Sequence, residues 1–471
     1  VTVTVADEPN TQGEGVHIVA TPSMQPADVQ FTNVYDPEDY KLTGDEAIHG
    51  TKVLQGREIG DNETFYFQLK QTAGPETVLD NPETKTVTKN SGMDFTFSDL
   101  TFTKAGTYTF TVNEVANEQG DETTDGKGMT YSQNVAEVTI EVKDGGNGSL
   151  VLDGPIVYKN QDSDETAKAV FTNVYKASMK YGAEGKGGIN VNKTMRGGRP
   201  MAAGEFQFTL TGEGPRGEVN EQFTNGAAAM DGTVTMAQLQ SLTFDQDDAG
   251  KTFTFTVDEA EGSLDGVTYD QSQYSVDITV FDNGDGTMHT ETTVTKTMNA
   301  DGSETNEMVV DKANSDAQDY QVPTFGFTNS YEPTSITTSD DTETTLQVTK
   351  IVTGAPSPDG VNYSFTLTPA DDNPAPVQGD TGAFIATTSG TIAANDSRTV
   401  SFGELTFTKA GTYTFTVKET APQDRPGWTY DTADKTITVE VVGYDPETGE
   451  YDGQLHIANV TGNPVKVTNA Y

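Results

Sequence analysis

Nine polar residues stand on strand faces that are otherwise apolar, and they form three sets of the same three types. Side chains along a strand alternate between its two faces. The face carrying Tyr108, Phe110 and Val112 therefore also carries Glu114; the same parity joins Glu259 to Phe253, Phe255 and Val257, and Glu419 to Tyr413, Phe415 and Val417. Upstream of each glutamate a lysine breaks another apolar face: Lys193 among Ile189, Val191 and Met195, and Lys350 among Leu346, Val348 and Val352. Lys52 is the weakest case, with only Ile48 and Leu54 on its parity and Gly50 between them. Downstream, Asn173, Asn329 and Asn469 each face the same way as the tyrosine two residues later.

Singly, each has an ordinary explanation. A glutamate can end a buried strand at its wet rim, a lysine can snorkel, and a buried amide can bond backbone. Three sets in the same order argue against three coincidences. Lysine and glutamate are separated by 62, 66 and 69 residues, and lysine and asparagine by 121, 136 and 119. Burial disfavours charge, lowering the pKa of an amine and raising that of a carboxyl, so a neutral amine beside a neutral acid becomes reachable. Such an amine can attack the amide carbon of asparagine while the acid polarises the carbonyl and shuttles protons. Ammonia leaves and a Lys-Asn isopeptide bond remains. Contact between the partners supplies the rate, and exclusion of water keeps the reaction from becoming deamidation.

The elements that would position these sets repeat as well. FTNVY at 31–35 and 171–175, FTNSY at 327–331 and VTNAY at 467–471 mark repeat ends, and cut the chain into units of 140, 156 and 140 residues behind a 35-residue leader. The thirteen residues 100–112, LTFTKAGTYTFTV, recur unchanged at 405–417, with a looser version at 244–257. Units of this size are domains, too long for solenoid repeats. The reading is 1–35 as the tail of a truncated repeat, poorly ordered or propped on its neighbour, followed by repeats at 36–175, 176–331 and 332–471. VTVTV at the start aligns with VTIEV, VDITV and ITVEV, each late in a repeat. Three polar stretches, 36–50, 176–188 and 332–345, read as linkers joining the repeats end to end in a linear array. Alternating Thr, Val and aromatic residues make the fold all-β. The best helical candidate, TMAQLQSL at 235–242, is about two turns long and matches a strand approach in the other repeats.

Composition narrows the function. No cysteine is present, which excludes disulfides and thiolate metal sites, so any covalent staple must use other side chains. A formal charge of -44 repels a nucleic-acid backbone and suits a soluble, self-repelling, extended protein. No apolar run is long enough to span a membrane. DNGDGT at 282–287 lacks the spacing and distal glutamate of a calcium loop and reads as a turn. His17, His289 and His456 follow such turns singly, His49 stands alone, and none suggests a zinc or catalytic cluster. Trp428 is expected beside its repeat's core. No cofactor is called for.

With KVLQGRE at 52, KTMRGGR at 193 and the diverged KIVTGAP at 350, the FTKAGTYTFTV strand and the FTNxY ending, the chain resembles the streptococcal pilin isopeptide linkage family, the domains of the T-antigen backbone pilin. The resemblance covers all three repeats and the leader. It implies immunoglobulin-like β-sandwich domains with first and last strands side by side, and autocatalytic bonds between Lys52 and Asn173, Lys193 and Asn329, and Lys350 and Asn469. Glu114, Glu259 and Glu419 are the implied catalysts. Asn33 matches the closing residue of a set whose Lys and Glu lie before residue 1. Neither a YPK polymerisation lysine nor an LPxTG-type anchor is found, and IVYKN at 156–160 reads as a strand end. The expectation is a stalk segment on a Gram-positive cell wall, outside the cell, acting on no external substrate. Its partners are neighbouring domains of the same longer chain, with a host ligand possible through regions beyond it. The alternative is an adhesin module that itself recognises a host protein or glycan, but one Trp and three near-equivalent units give no sign of a specialised binding domain.

Overall fold

The computed structural model describes residues 2–9, 11–24, 30–338, 344–379, 384–420 and 425–471. It forms two compact units, Val1–Lys176 and Ala177–Tyr471. Among the described residues there is no α-helix, and each repeat is a pair of facing sheets. Alternation decides which side chains go inside: along Gly106–Val115, Tyr108, Phe110, Val112 and Glu114 are buried, while the intervening threonines are not.

In the first unit one sheet is ordered Met129–Thr130, Ala169–Tyr175, His49–Gln55, Asp94–Thr96. The facing sheet runs Leu150–Leu152, Val135–Asp144, Gly106–Val115, Thr64–Ala73, Glu83–Thr88, with Val157–Lys159 also on Val135–Asp144. The IVYKN stretch is thus a strand, as its pattern suggests. Phe67 stacks on Phe95 at 4.2 Å and tilts against Phe171 at 5.1 Å, tying the two sheets together. Each such fully buried ring contributes roughly 2–3 kcal/mol from water exclusion.

The second unit holds two versions of this plan. In the first, Ile189–Arg196 lies between Thr233–Gln238 and Thr324–Tyr331, facing a six-stranded sheet in which Thr252–Glu259 is flanked by Gln207–Gly214 and Gln273–Asp282. In the other, Gln347–Thr353 lies between Asp396–Ser401 and Val465–Ala470, facing a five-stranded sheet centred on Gly411–Thr420. Residues 235–238, inside the helical candidate, are strand. The extra length of 176–331 is a second long hairpin, Met288–Met298 with Glu304–Asn314, which adds an edge strand.

The lysine-bearing strand and the last strand are parallel neighbours in every repeat, in one register. Lys52 is opposite Phe171 and Leu54 opposite Asn173. Lys193 is opposite Phe327, with Met195 opposite Asn329, and Lys350 is opposite Val467, with Val352 opposite Asn469. Lysine and asparagine are therefore diagonal neighbours on one face, close enough for long side chains to meet. The glycine after the lysine strand makes room for the strand end. Gly56, Gly197 and Gly354 have φ of 92°, 94° and 85°, and a Cβ there would come within 2.0–2.4 Å of the carbonyl oxygen of Tyr175, Tyr331 or Tyr471.

Two expectations need correction. The stretches read as linkers are built into the repeats that follow: Tyr40–Leu42 pairs with Leu100–Phe102, Ser178–Lys180 with Thr243–Asp245, and Ile336–Thr337 with Leu405–Phe407. Polar composition hid the few apolar residues that make this pay, such as Leu42 and Tyr181, which are fully buried; residues 339–343 of the third stretch lie outside the described residues. The leading FTNVY is also unlike the other three. Val3–Pro9 and Val16–Pro22 form an exposed hairpin, as the alternation of VTVTV suggests, but 31–35 form no strand, and Phe31, Val34 and Tyr35 are exposed. Among the described residues no strand runs parallel to it, and a strand without a partner leaves its backbone to water.

Candidate cross-linking site

All nine residues of the three sets meet in threes inside the sandwiches. Lysine and asparagine descend from these two parallel strands, and glutamate rises from the facing sheet, where Glu114, Glu259 and Glu419 pair with Phe67, Phe208 and Phe365. The side chains of Lys52, Lys193 and Lys350 are wholly buried, as are Asn173, Asn329 and Asn469. Their Nζ atoms donate to the glutamates at 3.1 Å, 2.7 Å and 2.9 Å. The Nδ2 of Asn173 donates to Glu114 Oε1 at 2.8 Å, that of Asn329 to Glu259 Oε1 at 2.7 Å, and that of Asn469 to Glu419 Oε1 at 3.4 Å. One carboxyl thus bridges the amine and the amide nitrogen in each repeat.

Sequence reasoning missed two further parts. The Oδ1 of Asn173 accepts the Ser132 N–H at 2.8 Å, that of Asn329 the Asp270 N–H at 2.8 Å, and that of Asn469 the Asp431 N–H at 3.0 Å. A backbone N–H only donates, so it fixes the amide with oxygen toward the loop and nitrogen toward the carboxyl. It also draws electron density from the carbonyl, making the carbon a better target. The second part is an aromatic lid. Lys52 Nζ lies 4.5 Å from the centre of Phe65, Lys193 Nζ 4.6 Å from that of Phe206 and Lys350 Nζ 4.5 Å from that of Tyr363. Both parts leave traces: GMTYS, GVTYD and GWTYD each end on the donor, and the lid residue follows each lysine at one constant spacing.

Burial moves both ionisable partners toward neutrality. Lys52 and Lys193 are each pushed down to about 8 by loss of solvent, against the opposing pull of Glu114 and Glu259, and Lys350 is lowered for the same reason. Burial raises Glu114, Glu259 and Glu419, with the lysine charge opposing. The arrangement can therefore exchange an ion pair for a neutral amine and a neutral acid by moving one proton over a single hydrogen bond.

The remaining candidates stay ordinary. Asn33 is exposed and joins no such set among the described residues. His289 stacks on Phe281 and bonds Asn283, His456 bonds Asp452 and His49 packs near Tyr158. Trp428 packs beside the core of its repeat and near Tyr471. Among the described residues no group of His, Asp and Glu side chains is arranged to hold a metal, and no helix is long and apolar enough to cross a membrane.

Fold and site together define tandem β-sandwiches, each with an amine, an acid and an amide sealed in its core. The family model described as FctA, Spy0128-like isopeptide containing domain, matches three times, at residues 48–176, 189–332 and 346–471. The chain belongs to this family. Among solved structures it is similar to the major pilin of Streptococcus pyogenes, with 15% identity over 63% of this chain and 99% of the pilin and a TM-score of 0.23. The T-13 major pilin of the same organism gives 14% identity over 62% and 99%, with a TM-score of 0.20. A Mobiluncus mulieris adhesin containing intramolecular disulfide, isopeptide and ester cross-links gives 11% over 58% and 86%, with a TM-score of 0.16. Scores this low add nothing to the assignment, which rests on the family match. No curated protein matches the chain.

Proposed function

We propose that repeats 36–175, 176–331 and 332–471 are three domains of an extracellular stalk on a Gram-positive cell surface, each locked by an autocatalytic isopeptide bond. The observation that carries this reading is the threefold recurrence of one buried set, in one strand register. In each repeat the neutral Nζ attacks Cγ of the asparagine. The protonated glutamate gives its proton to Nδ2 and takes one back from Nζ, the Cγ–Nδ2 bond breaks, and ammonia leaves as the Nζ–Cγ amide forms. Glu114, Glu259 and Glu419 are the catalytic residues of this step, while the N–H of Ser132, Asp270 or Asp431 steadies the charge that builds on Oδ1. The reaction uses each site once and has no external substrate, which separates it from enzyme turnover.

The placement of the bond suits a load-bearing role. Lysine lies near the start of each sandwich, on the strand parallel to the last one, which carries asparagine, so tension along the chain passes close to the link at both ends. Without it, the 121 residues from Lys52 to Asn173 could extend by about 400 Å at ~3.4 Å per residue. Single-molecule pulling on the chain tests this. The expected trace shows only short extensions from segments outside the three locked loops, and three long unfolding events in the unaltered protein would overturn the stalk mechanism.

A further inference from the structure

Tyr331 ends its strand two residues past Asn329, yet it is only 2% exposed. Gly266 and Val267 of its own repeat pack on it, and the next repeat completes its burial. Its hydroxyl donates to the Gly443 carbonyl at 2.7 Å and accepts from the Gly453 N–H at 3.1 Å, and its ring meets Tyr451 edge-on at 5.5 Å. All three partners lie in the loop joining Lys435–Val442 to His456–Thr461. The same loop grips the chain beyond the tyrosine: Thr334 N–H donates to the Gly453 carbonyl at 2.8 Å, and the Thr334 carbonyl accepts the Leu455 N–H at 2.9 Å. Gly453 packs so closely on the preceding repeat that a Cβ there would come within 2.8 Å of the Gly266 nitrogen.

The first unit shows the backbone part of this grip independently, although Tyr35 itself is exposed. Tyr35, in the leader, donates to Asp144 Oδ1 at 2.9 Å. Three residues on, Glu38 N–H donates to the Gly148 carbonyl at 2.8 Å, and its carbonyl accepts the Leu150 N–H at 2.9 Å. Glu38 with Ser149 and Thr334 with Gln454 are both isolated parallel bridges. The two loops, DGGNGS and YDPETGEYDG, share little sequence. What they share is a hairpin that presents backbone groups to the residue three past a closing tyrosine.

We propose that Tyr331, which closes repeat 2, is a docking pin for the β-hairpin loop of repeat 3, so that residues 331–336 form a fixed joint and not a free linker. A buried tyrosine needs both a filled ring environment and a partner for its hydroxyl, and the repeat 3 loop supplies both. The cross-link candidate Asn329 lies on the same strand, so the pin stands on the segment that the isopeptide bond would hold. The value of a fixed joint to a stalk rests on the reading above, whereas the joint itself does not depend on the bonds.

The test uses the absence of cysteine in the chain. Spin labels at Glu307→Cys, exposed on repeat 2, and Ala394→Cys, exposed on repeat 3, report the distance between the repeats by double electron-electron resonance. One narrow distance distribution is expected, broadening at least twofold with Tyr331→Ala. Gly453→Val, placed on the loop outside either core, should broaden it similarly by forcing the Gly266 contact apart, and covers the case in which Tyr331→Ala unsettles repeat 2. A broad distribution with Tyr331 and Gly453 intact, or unchanged width in both variants, overturns the proposal. Intact mass, read in parallel, reports the cross-links separately, so failure of the joint is distinguishable from failure of the bonds.

Discussion

Asn329→Ala removes the electrophile of the middle repeat while keeping the Lys193–Glu259 pair, so it isolates the bond from the burial of its partners. The bond would close a loop of 136 residues, from Lys193 to Asn329. If the chain-entropy relation for disulfides transfers to an isopeptide, its loss costs about 5 kcal/mol at 25 °C. For a domain of this size, that corresponds to a fall in melting temperature of roughly 15 °C. Calorimetry of the whole chain should show one transition shifted down by this order and the others unmoved. The same variant, pulled, should gain one unfolding step of about 460 Å at ~3.4 Å per residue, where the unaltered chain has none. An unchanged calorimetric profile would refute the reasoning, because Asn329 would then be a buried amide with only hydrogen bonds to lose.

Glu259→Ala should leave Lys193 and Asn329 unjoined even though removing a buried acid relieves a burial cost; a bond formed to the usual extent in that variant would make Glu259 merely structural. The unlinked Asn329→Ala repeat should also respond to alkali. Free Lys193 is held at about 8 in the folded state, below its unfolded value of ~10.4. Between the two, the unfolded chain binds more protons, so stability rises with pH; the deficit is fully present below pH ~8. In the linked parent the nitrogen is an amide and does not titrate, so the gap in melting temperature between variant and parent should narrow from pH ~8 to ~9.5. A constant gap over that range would show that the free amine is not destabilised by burial.

The three sets could be read from the sequence because strand alternation has a period of two and each set breaks it with a residue that a core rejects. Lys193 among Ile189, Val191 and Met195 is conspicuous in a string of letters. The parts supplied by backbone are not, and no residue type marks the N–H of Asp270 as the partner of Asn329. Phe206 was passed over for a different reason, since an aromatic in a strand looks like core whether or not an amine sits beneath it. Identity of letters also misled in one place. FTNVY at 171–175 is a buried strand and FTNVY at 31–35 is exposed coil, because the parallel lysine strand that pairs with the first has no counterpart beside the second among the described residues. The short strands in the supposed linkers escaped because two or three residues are too few for alternation to show, and the added hairpin of repeat 2 because nothing in the other repeats corresponds to it.

The central claim is that three covalent bonds form, each at the loss of one ammonia. Intact mass of the denatured, unaltered chain measures this directly. A mass below that of the sequence by three ammonia molecules is expected. A mass equal to that of the sequence would contradict the account, and a shortfall of four would give Asn33 a partner that the described residues do not provide.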